Sequence, residues 1–178
     1  MAKVIIDGRV YDDDWHCVDA TTTIEALPAT GKLIVPMQLW QAYRTALSTR
    51  ADAVGVWLEG HDDPLQLLND VAVLPLIAIN FGAFKDGRGY SLAYLLRSRF
   101  GFKGELRAIG EVLRDQLFYL RRVGFNAFAI RVDRDAQDAL KGLGDFSERY
   151  QGSIDELLPL YRRRAIVGVA PVADEVIA

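Results

Sequence analysis

The sequence predicts an α/β protein built on a mainly parallel sheet of about five β/α units. Short apolar runs with the composition of buried strands recur along the chain, and each precedes a stretch whose apolar residues have helical spacing. The runs begin roughly 21 to 29 residues apart, a length that suits one β/α unit. Because strands alternate with helices, the sheet is expected to be parallel. The predicted strands are 33–36, 54–58, 76–80, 105–109 and 127–131.

Two architectures are compatible with this periodicity. One is a partial TIM-barrel-like sheet with five units instead of eight, and the other is an open doubly wound sheet. Units this regular, joined by short loops, favour the partial barrel. The open sheet is kept as the alternative because strand order cannot be read from one sequence.

The chain is expected to form a single domain over residues 1–164, since no Ser- or Pro-rich linker separates the units. At the N-terminus, KVIIDGRVY has an Asp7-Gly8 turn between two apolar stretches, which predicts a β-hairpin. Ser91 is expected to cap the helix that follows it, and Gly124 to end a later helix. Residues 165–178 form a short apolar tail, for which an added strand and disorder both stay open.

Cysteine and histidine are too scarce for several kinds of site. The chain has one cysteine, Cys17, and two histidines, His16 and His61. One chain therefore cannot form an internal disulfide, a cysteine-based zinc site, an iron–sulfur cluster or a three-histidine metal site. No metal is predicted, and a reducing, cytoplasmic location fits this composition. The net charge of −3 does not indicate nucleic-acid binding, and no apolar run approaches the roughly 20 residues of a membrane helix.

Positive charge is concentrated in one segment of the chain. Residues 86–131 contain nine basic residues, eight of them arginine, against four acids, so the segment carries about +5. Arginine suits bidentate contacts to carboxylate, phosphate or sulfate groups. The loop after the third predicted strand leads into this segment, and its glycines and helix N-terminus favour an anion. Its spacing matches no nucleotide-binding fingerprint, and a tight turn with Arg88 paired to Asp86 is the alternative.

Ligands of parallel α/β folds gather at the carboxyl ends of the strands. Here Glu59, Asn80, Glu111 and Arg131 follow predicted strands. Arg107 lies inside the run ELRAI, where a buried guanidinium needs an acid or a bound anion. Glu105, two residues earlier on the same face, could be that acid, and a partly solvated strand end is the alternative.

We expect nine side chains from three loops or strand ends to converge in one anion-binding cleft, with Arg107 as its anchor. They are Asp86, Arg88, Tyr90, Ser91, Arg107, Arg114, Asp115, Gln116 and Arg131. No catalytic residue is assigned.

The same segment carries a resemblance to a known family. Residues 86–131 read DGRGYSLAYLLRSRFGFKGELRAIGEVLRDQLFYLRRVGFNAFAIR, which resembles almost throughout the pattern of the bacterial family called domain of unknown function 934. The rest of residues 4–164 has the length and organisation of that family. Glu111 and Asn126 stand where aspartate is usual: Glu111 keeps the charge, whereas Asn126 has no carboxyl group for an acid role.

The resemblance implies a link to sulfur assimilation. Members of the family carry an oxidoreductase label without an established reaction, and they are commonly encoded beside a sirohaem-dependent sulfite or nitrite reductase. The implied function is an accessory protein of assimilatory sulfite reduction, partner of such a reductase, with an Arg-rich anion-binding cleft. The alternatives are a small-molecule enzyme and a flavin- or nicotinamide-dependent oxidoreductase of the same pathway. Catalysis and a homodimer stay open, the cofactor is unknown, and non-covalent flavin is compatible with the sequence.

Overall fold

In the described part of the chain, one mixed sheet of eight strands forms the centre of the fold, with five α-helices around it. The computed structural model describes residues 2–50, 52–83 and 85–168. The strands are β1 Lys3–Ile6, β2 Arg9–Asp12, β3 Trp15–Cys17, β4 Lys32–Pro36, β5 Val54–Glu59, β6 Leu76–Phe81, β7 Glu105–Gly110 and β8 Ala127–Phe128. The helices are α1 Met37–Ser48, α2 Arg88–Ser98, α3 Leu117–Arg122, α4 Ala136–Leu140 and α5 Leu160–Gly168.

The strand order across the sheet is β2-β1-β8-β7-β6-β5-β4-β3. The six strands from β3 to β8 are parallel and lie side by side in chain order, whereas β1 pairs antiparallel with β2 and β8. The predicted parallel sheet is therefore confirmed. A doubly wound sheet reverses its strand order at a switch point, and these six strands have no such reversal.

The five predicted strands correspond to β4 through β8, but the expectation of about five units undercounts the sheet. Three further strands come from the N-terminal segment. Two of them form the predicted hairpin, in which Asp7 and Gly8 both have positive φ, as a type I′ turn requires. The third, β3, pairs in parallel with β4 at the opposite edge of the sheet. The last predicted strand is shorter than expected and ends at Phe128.

A two-residue connection makes the sheet curl. Strands β2 and β3 are the two edges of the sheet, yet only Asp13 and Asp14 lie between them in the chain. Three residue steps span at most about 11 Å. The edges of a flat eight-stranded sheet would be about 34 Å apart. The sheet must therefore curl so that its edges approach each other, and it forms a curled half-barrel.

The two faces of the curled sheet are packed differently. Helices α1 to α4 contribute buried side chains to a large core on the outer, convex face. That core includes Val35, Trp40, Val56, Ile79, Leu96, Leu106 and Leu120. On the inner, concave face, a smaller cluster joins Ile34, Trp57, Leu76 and Ala78. Because side chains alternate along a strand, each central strand supplies both clusters.

The helix boundaries agree in part with those predicted from the sequence. Helix α2 begins at Arg88 instead of after Ser91, because the Asp86 carboxylate already accepts a hydrogen bond from the Arg88 N–H. Gly124, with φ +115°, follows the end of α3 as predicted. Helix α5 includes residues 165–168 of the predicted tail, and residues 169–178 lie outside the described part of the chain. Among the described residues, no helix has the length and apolar character needed to cross a bilayer.

Candidate functional site

A cavity of about 540 Å³ opens on the concave face of the sheet. This volume is within the range of sites that bind small organic molecules. Side chains at the carboxyl ends of β5, β6 and β7 line it together with β3 and the residues that follow β3. The lining residues are Asp13, Trp15, Cys17, Val18, Asp19, Ala20, Ile34, Trp57, Glu59, Asn80, Arg107, Ile109, Gly110 and Ala129. The cavity therefore lies where parallel α/β folds usually place their ligands.

Arg107 is the most deeply buried charged residue of this cavity, with 1% of its surface exposed. Its neighbours in the sheet register are Ala78 and Ala127, whose small side chains leave room for a guanidinium. Arg107 Nε donates a hydrogen bond of 2.6 Å to Glu105, and Nη1 donates two of 2.9 Å to the Asp13 carboxylate. Among the described residues, Nη2 has no acceptor. The predicted Glu105 partner is confirmed, and a second carboxylate stands beside it.

The carboxyl-end rim of the cavity is a tightly packed polar row. Glu59 and Asn80 are register neighbours, and Asn80 Nδ2 donates a 2.9 Å hydrogen bond to Glu59 Oε1. Gly110 follows Ile109, the register neighbour of Asn80, and has φ +88°. A Cβ at that position would lie 2.5 Å from Asn80 Oδ1 and 2.6 Å from the Phe81 carbonyl oxygen. Both its backbone conformation and its close neighbours therefore require glycine.

Two of the three tryptophans of the chain form an aromatic wall. The Trp57 side chain is held in place because its Nε1 donates a 3.0 Å hydrogen bond to the Val18 carbonyl oxygen. Trp15 lines the same cavity from β3, and the Lys32 ammonium stands 5.7 Å from the centroid of the Trp15 ring. This wall presents flat apolar surface, and one of its rings already holds a cation.

The described lining of the cavity is acidic overall. It has three carboxylates, on Asp13, Asp19 and Glu59, and one guanidinium, on Arg107. Hydrogen bonds from Thr21 lower the pKa of Asp19 below its ordinary value, so this carboxylate is ionised at neutral pH. The positive charge of Arg107 is already shared by two carboxylates. An anion entering the cavity would therefore meet net negative charge.

Cys17 is part of the same lining but is poorly suited to be a nucleophile. Much of the residue is exposed to solvent, yet the surroundings of its thiol remove enough hydration to raise its pKa to about 11. The thiolate, which is the reactive form, is therefore scarce at neutral pH.

Four of the nine predicted site residues lie in or around this cavity. Arg107 lines it. Asp86 and Arg88 form a close pair that packs against Gly60, directly after Glu59, and hydrogen bonds from Arg88 lower the pKa of Asp86 to about 2. Arg131 donates a 2.9 Å hydrogen bond to Glu111, which directly follows the lining residue Gly110. The charges of Arg88 and Arg131 are thus paired with acids at the rim.

The other five residues lie outside this cavity, so the nine are not all gathered around Arg107. Tyr90 and Ser91 line a groove beside helix α2. Arg114 and Asp115 line a third cavity, where Arg114 is paired with acidic side chains. Gln116 is buried and accepts a hydrogen bond from a backbone N–H. Tyr90, Asp115 and Gln116 do come together: burial and the nearby Asp115 carboxylate raise the pKa of Tyr90, while a side-chain hydrogen bond with Gln116 lowers it. Part of the predicted cluster therefore forms, but away from Arg107.

The family comparison agrees with the pattern of the arginine-rich segment. The model of a family described as a bacterial protein of unknown function (DUF934) matches residues 55–161. The chain belongs to this family. The resemblance noted in the sequence is therefore confirmed. No match was found among curated proteins or among solved structures.

The span matched by the DUF934 model supplies one side of the cavity, including Trp57, Glu59, Asn80 and Arg107. The other side, from Asp13 to Ile34, lies before that span. Within the span, Asn126 has a structural role, because its Oδ1 accepts hydrogen bonds from the Leu106 N–H and from Arg97 Nη2. An aspartate would accept the same two bonds.

Sequence reasoning missed several of the cavity residues. Glu59 and Asn80 were indicated by their positions after strands, but Asp13, Trp15 and Trp57 were not. Asp13 is 94 residues from its partner Arg107, so no local pattern connects them. Trp57 could have been found, because alternation along VGVWLE places it on the same face as Glu59. Among the described residues, no group of three or more His, Cys, Asp or Glu side chains is arranged to hold a metal ion.

Proposed function

We propose that this protein is a ligand-binding accessory protein that holds a small organic molecule in the concave-face cavity. The observation that carries the proposal is the cavity itself: about 540 Å³ at the carboxyl ends of parallel strands, with a fixed aromatic wall and a polar rim. A few oriented polar groups in a mainly apolar concavity are the usual composition of a small-molecule site.

We propose further that the protein acts in assimilatory sulfite reduction, as a cytoplasmic partner of a sirohaem-dependent sulfite or nitrite reductase. The family resemblance suggests this pathway. The internal pairing of Arg107 supports an accessory role over direct handling of sulfite, because its positive charge is engaged by Asp13 and Glu105 instead of being free for an anionic substrate.

An enzyme with flavin or nicotinamide is the alternative function within the same pathway. The phosphate groups of these cofactors need cations or free backbone N–H groups around them. At the cavity rim they would meet Glu59 and Asp19, and the nearby Arg88 is already bonded to Asp86. The accessory function therefore fits this cavity better. Yellow colour that stays with the protein through purification would favour the flavin alternative.

We also propose that the curled sheet is a partial TIM-like barrel. Three features support this relation: strands β3 to β8 follow one another in chain order, the buried helix residues share one face, and the cavity lies at the carboxyl ends. The antiparallel hairpin of β1 and β2 departs from the pattern of that fold.

Deletion of the gene in its bacterial host tests the pathway. We expect the deletion strain to grow with sulfide as sulfur source and to grow slowly with sulfate or sulfite. The wild-type gene should restore growth, and so should a Glu148→Gln variant, which changes an exposed acid outside the cavity. A Glu59→Gln variant should restore growth poorly if the cavity matters. Normal growth of the deletion strain on sulfite would contradict the proposal.

Physical association is a separate test. A tagged copy expressed in the same host should co-purify with the reductase, as measured by the sirohaem absorbance and by sulfite reduction in the eluate. An eluate without reductase, from cells in which the deletion does slow growth on sulfite, would contradict the partner role and leave the pathway assignment in place.

A further inference from the structure

We propose that the ligand of the concave-face cavity is an organic cation: a small molecule with an ammonium group, a flat apolar body and one oxygen acceptor. This inference rests on the proposed binding function and adds the chemical class of the ligand. The proposed ligand is positively charged, whereas the arginine-rich segment suggests a negatively charged one.

The positive charge of the ligand is inferred from the carboxylates that line the cavity. Asp19 and Glu59 line the cavity, and among the described residues neither forms a direct ion pair. Arg88 lies close enough to Glu59 to attract it, but the Arg88 guanidinium is bonded to Asp86. Glu59 Oε1 accepts a hydrogen bond from the Asn80 amide, which leaves Oε2 for a ligand N–H. The only guanidinium of the described lining is bonded to two other carboxylates. An ammonium group is therefore stabilised at the rim, whereas a carboxylate or sulfonate is repelled.

The apolar body of the ligand is matched by the tryptophan wall. Trp57 is 7% exposed and fixed by its hydrogen bond to Val18, so little conformational entropy is lost when a ligand packs against it. Indole faces also attract cations. The Lys32 ammonium, 5.7 Å from the Trp15 ring centroid, is an instance of this attraction at the same wall.

The oxygen acceptor is indicated by Arg107. This side chain lines the cavity, is 1% exposed, and has an Nη2 group without an acceptor in the described structure. A buried donor without a partner is costly, so native proteins usually supply one. A hydroxyl or carbonyl oxygen of the ligand would accept the hydrogen bond that Arg107 Nη2 has to donate, without adding a negative charge.

Three probes with one body and different charges test the inference. Tyramine is a cation, tyrosol is neutral and 4-hydroxyphenylacetate is an anion, and each has a phenol oxygen as acceptor. Binding to the full-length protein would be measured by the shift in melting temperature and by quenching of tryptophan fluorescence. We expect tyramine to bind about tenfold more tightly than tyrosol, and the anion to bind most weakly.

Two variants test whether the charge preference arises in the cavity. Glu59→Gln keeps an acceptor for Asn80 but removes the charge, so it should weaken tyramine about tenfold and change tyrosol less than about twofold. Glu148→Gln, an exposed acid away from the cavity, should leave all three affinities unchanged.

The outcomes separate the two proposals. Tightest binding by the anion, reduced by changes in the cavity, would overturn the charge assignment and leave the binding function intact. Tyramine binding that Glu59→Gln does not affect would also overturn the assignment. The absence of any shift or quenching with all three probes at millimolar concentration would count against the binding function itself.

Discussion

Removing the charge of Arg107 should destabilise the protein more than removing any exposed arginine. In Arg107→Met, the side chain keeps its length, but Asp13 and Glu105 lose their common cation while only 12% and 18% of their side-chain surfaces are exposed. Breaking a buried charge network in this way costs about 3–5 kcal/mol. For a chain of this size, that is a fall in melting temperature of about 6–20 °C. Asp13 lies in the short link between the edge strands, so its release should also loosen the curl of the sheet.

The matched control is Arg99→Met, which changes an exposed residue at the end of α2. Surface ion pairs contribute at most about 1 kcal/mol, so its melting temperature should fall by no more than about 4 °C. Combining Arg107→Met with Asp13→Asn and Glu105→Gln should recover much of the loss, because no unpaired charge remains. The assay is thermal unfolding followed by circular dichroism. Equal melting temperatures for Arg107→Met and Arg99→Met would refute the reasoning.

Three further predictions concern single residues. Alkylation of Cys17 at pH 8 should be on the order of a hundredfold slower in the native protein than in urea, because its raised pKa leaves little thiolate; equal rates would contradict this. Gly110→Ala should lower the free energy of unfolding by about 1–3 kcal/mol, because a Cβ at this position meets close neighbours and a positive φ. The control Gly82→Ala has open space around its Cβ position and should change the free energy of unfolding by less than about 0.5 kcal/mol. Urea titration measures both values. The folded-state pKa of Asp86 is depressed, so its contribution to stability is present above about pH 4 and is lost as the pH falls toward 2. Arg88→Met should raise its NMR titration midpoint part of the way toward about 4, because the side-chain bonds are lost while the backbone N–H of residue 88 still donates. An unchanged midpoint would contradict the assigned cause.

Much of the fold could be predicted because buried strands have a recognisable local sequence. The apolar runs that became β4 to β8 are buried on both faces, and such runs stand out from the amphipathic segments between them. Strand β3 could not be predicted in this way. Trp15-His16-Cys17 is short and largely exposed at an edge of the sheet, so it has no apolar run.

The curl of the sheet depends on information that no local pattern contains. The link Asp13-Asp14 reads as an ordinary acidic turn, and it forces the edges together only once β2 and β3 are known to be the edge strands. The same link carries Asp13, the long-range partner of Arg107. The need for a carboxylate at Arg107 could be predicted from its apolar strand, but the identity of the second one could not.

The nine residues of the predicted cleft are not all gathered in the concave-face cavity. Charge density along the chain was interpreted as proximity in space, although residues 88–91 and 114–116 lie on a helix and a 3-10 turn. Side chains at neighbouring positions of such elements face different directions. Arg88 therefore reaches the rim of the cavity, while Tyr90 packs against Phe81 on the helix side of the sheet. The carboxyl-end rule performed better, since Glu59 and Asn80 both line the cavity.

The most direct test of the central claim, that small molecules bind in the concave-face cavity, uses the indole N–H signals of the three tryptophans. Trp15 and Trp57 line the cavity, whereas Trp40 lies in the helix-side core and serves as an internal control. In a ¹⁵N-resolved NMR titration with tyramine, we predict that the indole signals of Trp15 and Trp57 move in a saturable way while that of Trp40 stays in place. The claim would be contradicted if neither cavity tryptophan responded to tyramine, tyrosol or 4-hydroxyphenylacetate, or if Trp40 moved as far as they do.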